Sequence, residues 1–223
     1  MKLIWVRPEK KKRRMQAKVA LYTVAFDDLG EQRLRDSSFS RYCKGLCPYG
    51  AVRECKRQCD KDGEYGRLLH IWEQQGYLLT FFSNQKDKLN TDRYGHITVQ
   101  EALRRHGILL NEIRRRIATD DLERLFVPLH ENPNRAVKWP DSKFKSKYRD
   151  IEFENWIRIY AVRFVEEDTG KINYIITGGG IKLVGKMSEY TPLEYEERKQ
   201  EKVIQYLIDN EYTTRDKIET VII

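Results

Sequence analysis

The sequence predicts an α+β domain: an antiparallel sheet of three to five strands with helices packed on one face, plus a cysteine-rich insertion. Three observations lead there. Apolar positions recur every three or four residues from Leu103 to Ile117, the period of a helix face. From Tyr148 onward the pattern changes to short apolar, β-branched and aromatic runs separated by turn residues. A second helical pattern then follows Thr191-Pro192.

The elements follow in chain order. Lys18 to Phe26 reads as a buried strand, ended by Asp27-Asp28-Leu29-Gly30. Residues 31–63 are polar, carry the cysteines and lack a clear period. Tyr65 to Gln75 suits a short helix stopped by Gly76, with Leu68, Leu69, Ile71 and Trp72 as its apolar positions. Tyr77 to Phe82 fits a buried strand or a further helix, since periodicity does not decide between them. After a polar loop from Asn84 to Gly95, Thr98-x-x-Glu101 is a capping box, so a helix should start at Val99 and run to Leu125 or Phe126. Pro128, Pro133 and Pro140 mark a linking region. Tyr148–Phe153, Trp156–Glu166 and Ile172–Ile176 are then strand signals, and Gly178-Gly179-Gly180 breaks the last of them before Ile181–Val184. Both alternating faces of Trp156–Phe164 are mostly apolar, which predicts a central strand covered on two sides. The resulting organisation is a basic N-terminal segment, 1–20, and a single domain, 21–223. That domain carries the insertion at about 40–62 and a C-terminal helix at about 192–210.

Composition narrows the class. The 223 residues include 8 Phe, 4 Trp and 13 Tyr, enough aromatic surface for a core, which excludes a wholly disordered chain. No apolar run approaches the ~18 residues of a membrane span. Met1 to Val6 holds no apolar signal core and is followed by Lys and Arg. A cytoplasmic protein without a membrane partner is therefore expected. The net charge is +8, but residues 1–20 hold eight Lys or Arg against Glu9 and carry +7 of it. That terminal run reads as a solvated tail. The more informative stretch is internal: Arg135, Lys138, Lys143, Lys145, Lys147 and Arg149 face only Asp141, with Trp139, Phe144 and Tyr148 interleaved. Cations meet phosphates and aromatic faces stack bases, so Lys138, Lys143, Lys145, Lys147 and Arg149 are candidate RNA contacts. The alternative is a solvated loop anchored by its aromatics.

All four cysteines fall within 17 residues, as Cys43-x3-Cys47-x7-Cys55-x3-Cys59. A spacing of four puts each pair on one side of a helical turn. Four thiolates there would close a tetrahedral structural zinc site, and Arg41, Lys44, Arg53, Lys56 and Arg57 would offset its charge. Two disulfides, disfavoured in a cytosolic chain, and free or iron–sulfur thiols are the other readings. His70, His96, His106 and His130 are scattered, and His106 lies on the apolar helix face as a core histidine would.

Three phrases stand in order in the second half: Val127-Pro128-Leu129, then Ile157-Arg158-Ile159-Tyr160-Ala161-Val162-Arg163, then Tyr174-Ile175-Ile176-Thr177-Gly178-Gly179-Gly180-Ile181-Lys182. Through them residues 125–190 resemble toxins of the RelE/ParE superfamily of toxin–antitoxin systems, with a weaker likeness at Leu21–Phe26. The resemblance implies an early strand and two helices ahead of an antiparallel sheet. It implies a toxin that cuts ribosome-bound mRNA or inhibits DNA gyrase, and a cognate antitoxin as partner beside RNA or the ribosome. RNA cleavage by attack of a 2′-hydroxyl on the adjacent phosphate needs cations on the phosphorane and groups that move two protons. The resemblance places Arg158 and Arg163 as phosphate-holding sheet arginines and Lys182 as the lysine after the glycine turn. Lys186 and Tyr190 fall where further basic and aromatic groups stand. The chain is about twice the length the resemblance implies, and residues 31–100 have no counterpart. Glu189 is the one acidic residue between Lys182 and Tyr190.

Two structural readings stand beside this one. Arg158 and Arg163 could form a strand rim paired with Glu152, Glu154 or Glu166, worth ~0–1 kcal/mol if exposed. Five residues apart on one strand, the two arginines face opposite sides. The three glycines lack the Lys-Ser/Thr and helix of a P-loop, so a bulge or a close backbone approach is expected. The rival function is a non-catalytic nucleic-acid-binding protein with a structural zinc site, helped by Arg114-Arg115-Arg116.

Overall fold

A computed structural model describes residues 2–6, 19–25, 52–119, 122–129, 143–147, 151–185 and 191–211. In chain order the elements are β1 (Lys2–Trp5), β2 (Val19–Ala25), α1 (Val52–Glu73), α2 (Gln75–Asn84), α3 (Lys86–Leu89), α4 (Val99–Ala118) and α5 (Leu122–Leu125). There follow β3 (Phe126–Pro128), β4 (Lys143–Ser146), β5 (Ile157–Val165), β6 (Ile172–Ile181) and α6 (Thr191–Asp209). The fold is α+β. One six-stranded sheet has the order β1-β2-β6-β5-β4-β3, antiparallel throughout except for the parallel pair β2/β6. No described helix is long and apolar enough to cross a membrane.

The sheet departs from the expected three to five strands at its two edges. Lys2–Trp5, assigned to a basic segment, pairs with Tyr22–Ala25, and Phe126–Pro128 pairs with Phe144–Ser146. Both are too short to show a period. The helices also lie on both faces, not on one. Leu21, Ile157, Ile159, Ala161, Tyr174 and Ile176 face Leu68, Trp72, Phe82, Leu109 and Ile113 of α1, α2 and α4. Ala20, Tyr22, Val24, Val162, Phe164 and Ile175 face Val203 and Leu207 of α6. The doubly apolar β5 is the cause, because a strand buried on both sides needs cover on both.

Other boundaries moved for local reasons. α1 begins at Val52, inside the stretch without a period, and kinks at Gly63, whose φ is 63°. There the Thr23 hydroxyl of β2 accepts from the Tyr65 amide at 2.9 Å, restarting the helix with a cap supplied by a distant strand. Tyr77–Phe82 is helical, within α2. Residues 151–153 are bends and not a strand, and the long helix expected to reach Leu125 ends at Ala118, with α5 as a separate turn.

The glycines do not break β6. It runs through them, and the register slips between Tyr160/Gly178 and Ala161/Ile176, leaving Thr177 as the extra residue of a bulge. The Thr177 hydroxyl donates to the Tyr160 carbonyl at 3.3 Å.

The N-cap half of the box expected at α4 forms: Thr98 Oγ1 accepts from the Glu101 amide at 3.2 Å, while the Glu101 carboxylate accepts from Arg104 and Arg105. Thr98→Ala is expected to cost about 1 kcal/mol, seen as a lower urea midpoint at an unchanged slope.

Candidate functional site

The start of β5 and the end of β6 meet at one end of the sheet. Trp156 is fully buried and anchors the approach, its indole Nε1 donating to His106 Nδ1 at 3.3 Å. Asn155 Oδ1 accepts from the Ile157 amide at 2.9 Å, starting the strand. Across the ladder Arg158 pairs with Gly180, and the Lys182 amide donates to the Trp156 carbonyl at 2.7 Å. Arg158 and Lys182, named from the sequence, thereby lie at the same end of the sheet, Arg158 on β5 and Lys182 one residue past β6.

Arg158 is only 8% exposed. Its Nη1 donates to the carbonyls of Asn155 at 2.7 Å and Ile157 at 2.9 Å. No described carboxylate is hydrogen-bonded to it. Burial pushes its pKa down, partly countered by Tyr160, Glu154 and Tyr94, while Arg93 adds to the lowering.

Two of those neighbours, Arg93 and Tyr94, were missed by sequence reasoning, and Glu154 was named only as a possible partner of the strand arginines. A tight turn at Thr91, whose carbonyl accepts from the amides of Tyr94, Gly95 and His96, presents Arg93 and Tyr94 to this end of the sheet. The His96 ring bridges Asn90 Oδ1 at 2.9 Å and Asp92 Oδ1 at 2.8 Å, bracing the turn. Arg93 Nη2 holds Glu154 Oε1 at 2.6 Å, and its Nη1 donates to the Val184 carbonyl at 3.4 Å. The Tyr94 hydroxyl donates to the Lys182 carbonyl at 3.2 Å, and burial raises its pKa, so it stays protonated. No local sequence signal marks a polar turn 60 residues upstream as part of a sheet-end site. Only the Arg and Tyr inside it hint at function.

The other candidates separate from this cluster. The bulge adds its residue to β6, so β5 keeps its alternation and Arg163 lies on the face opposite Arg158. There its guanidinium sits over the Phe144 ring, 5.9 Å from the centroid, and its charge opposes the rise that burial gives the Tyr174 pKa. Lys143 Nζ holds Glu201 of α6 at 2.7 Å, and Lys145 Nζ donates to the Leu129 carbonyl at 2.9 Å. Lys147 is half-buried just beyond β4, its amide donating to the Leu125 carbonyl at 3.0 Å. Arg114, Arg115 and Arg116 are spent on carboxylates, Arg114 on Glu73 and the other two on Glu112. Lys138, Arg149, Lys186, Tyr190, Cys43 and Cys47 lie outside the described residues. Cys55 and Cys59 fall on α1, with side chains outside the described ones. Among the described residues no three His, Cys, Asp or Glu side chains gather to hold a metal ion.

A second polar cluster lies beside Gly178 and Gly179, where the interior strand β6 has run past its pairing with β2. Glu64 and Arg67 of α1 meet Glu196 and Lys199 of α6, all four buried. Arg67 Nη2 lies 2.7 Å from Glu64 and 3.3 Å from Glu196, and Lys199 Nζ lies 2.9 Å and 2.8 Å from the same two carboxylates. The Gly179 amide donates to Glu196 Oε2 at 2.9 Å. Two negative and two positive charges cancel, so this quartet joins the helices and leaves no charge over for a ligand.

No family model, no curated protein and no solved structure matches the chain.

Proposed function

We propose that the chain is an RNA-directed toxin of the RelE/ParE type, an mRNA endonuclease that holds phosphate at the sheet end formed by Arg158 and Lys182. The observation that carries this reading is Arg158: a guanidinium nine-tenths buried and hydrogen-bonded to two carbonyls, with no described carboxylate bonded to it and Glu154 acting on it only through its charge. A buried cation in that state is stabilised by an anion from outside. The order of strand, helices, antiparallel sheet and closing helix is also the order the resemblance implies. In this reading Arg158 and Lys182 stabilise the phosphorane. Arg163, on the other face, acts elsewhere or through the packing of Phe144 and Tyr174. The partners are the ribosome or its mRNA and a cognate antitoxin whose acidic segment covers this end of the sheet in the cytoplasm.

The test is tightly induced expression of wild type beside the Arg158→Ala, Lys182→Ala double variant, with growth and bulk translation followed. Wild type is expected to arrest both. The variant, folded and equally soluble, should lose the effect, since removing such charge stabilisation costs about 10²–10³ in rate per group. A wild type that is well expressed and harmless would count against the toxin reading.

One observation favours a second reading, binding without cleavage. Glu154, the carboxylate best placed to accept a proton near Arg158, is held by Arg93. In that case the double variant loses RNA affinity and wild type leaves RNA intact. The structural zinc proposed at Cys43, Cys47, Cys55 and Cys59 serves either reading, and metal analysis of the purified protein tests it.

A further inference from the structure

We infer that Arg93 and Arg158 form one binding site for a phosphodiester of single-stranded RNA, and that Glu154 fills it in the free protein as an internal stand-in for the phosphate. This rests on the RNA-directed reading above and assigns its recognition site. Arg158 supplies a desolvated cation whose partners among the described residues are two backbone carbonyls. Arg93 supplies a second cation from the turn at Thr91, held by its bonds to Glu154 Oε1 at 2.6 Å and the Val184 carbonyl at 3.4 Å. Tyr94 is buried and bonded to the Lys182 carbonyl, so it fixes the turn against the strand end and does not stack a base.

Two guanidiniums against one carboxylate leave one positive charge, the complement of one phosphodiester. Exchange is also favoured by exposure. The side chains of Arg93 and Glu154 are 39% and 37% exposed, so their pair is of the weak surface kind and Glu154 can swing into water. A phosphate bridging Arg93 and Arg158 forms charge-assisted bonds to both, including the cation that Glu154 does not bond. Glu154 therefore acts as a competitor. Its removal should strengthen binding, which neither a structural ion pair nor a direct ligand contact predicts.

The experiment is fluorescence anisotropy with the full chain and a labelled single-stranded RNA 12-mer, repeated across a salt series. Glu154→Gln is expected to tighten binding about 3- to 10-fold. Glu152→Gln, which changes net charge equally at an exposed neighbouring position, should shift it less than 2-fold. Arg93→Gln should weaken binding about 5- to 10-fold and lower the slope of log K against log salt by about one. Wild-type binding with Glu154→Gln no tighter than Glu152→Gln would overturn the stand-in while leaving the RNA reading intact. Inorganic phosphate is the second probe. Thermal stabilisation by 10 mM phosphate, larger in Glu154→Gln, with no RNA binding would keep the two-arginine anion site and overturn RNA as its ligand. Binding of neither probe would overturn both.

Discussion

Replacing Glu196 by Ala is expected to cost about 3–5 kcal/mol, the range for breaking a buried ion pair by removing one partner. Its carboxylate is held on three sides: by Lys199 Nζ at 2.8 Å, by Arg67 at 3.3 Å and by the Gly179 amide at 2.9 Å. Alanine there leaves two buried cations sharing Glu64 and an amide of β6 without its acceptor. The glycines complete the argument. A Cβ on Gly178 would overlap Glu196 Oε2, and one on Gly179 would strike the Arg158 carbonyl. Gly178→Ala is therefore expected to displace the same carboxylate and to cost a comparable amount. Urea unfolding of each variant checks both. A loss of less than 1 kcal/mol for Glu196→Ala would show that water replaces the carboxylate and that the quartet is not needed to join α1 to α6.

That quartet also marks the limit of what the sequence shows. The longer elements were legible in part: β2, β5 and α6 lie where apolar runs or helical spacing put them, α4 starts at its cap but ends earlier, and β6 starts at Ile172 but runs on through the glycines. Lys2–Trp5 and Phe126–Pro128 were not, since three or four residues carry no period and their partners are distant in sequence. The function of Gly178-Gly179-Gly180 was half legible. A bulge and a close approach follow from the residue type, but the carboxylate that fills the space comes from α6, 17 residues beyond the amide it accepts from. At the candidate site, Arg158 and Lys182 were named through the resemblance, from phrases that fall on β5 and on β6 with the residue just after it. Arg93 and Glu154 lie on a turn and just ahead of a strand, where pattern gives no position and only the packed chain brings them together.

The protein is also expected to lose stability as pH falls from about 6.5. His106 lies among Trp72, Phe82 and Trp156, with ring centroids 6.3 Å from Trp72 and 5.9 Å from Phe82. Its Nδ1 accepts from the Trp156 indole, which places the proton of the neutral ring on Nε2, a buried atom with no hydrogen-bond partner among the described residues. Burial pushes the pKa down to about 3. The folded state thus binds a proton less readily than the unfolded chain, where histidine titrates near 6.5. The stabilisation from a neutral His106 is complete above the unfolded pKa and declines as pH falls toward the folded one, by about 1.4 kcal/mol per pH unit. Glu196 acts in a lower window. Burial alone would raise its carboxyl, but the charges of Lys199 and Arg67, a Lys199 hydrogen bond and the Gly179 amide hold it below the usual range. Its contribution is present above about 4.3, the unfolded glutamate value, and is lost below it. Urea unfolding should therefore show a fall of about 2 kcal/mol between pH 6.5 and 5. His106→Gln, which keeps an acceptor for the Trp156 indole, should flatten that interval and leave the steeper loss below pH 4.3. An equal slope in wild type and variant above pH 5 would mean that His106 takes up its proton without opening the core.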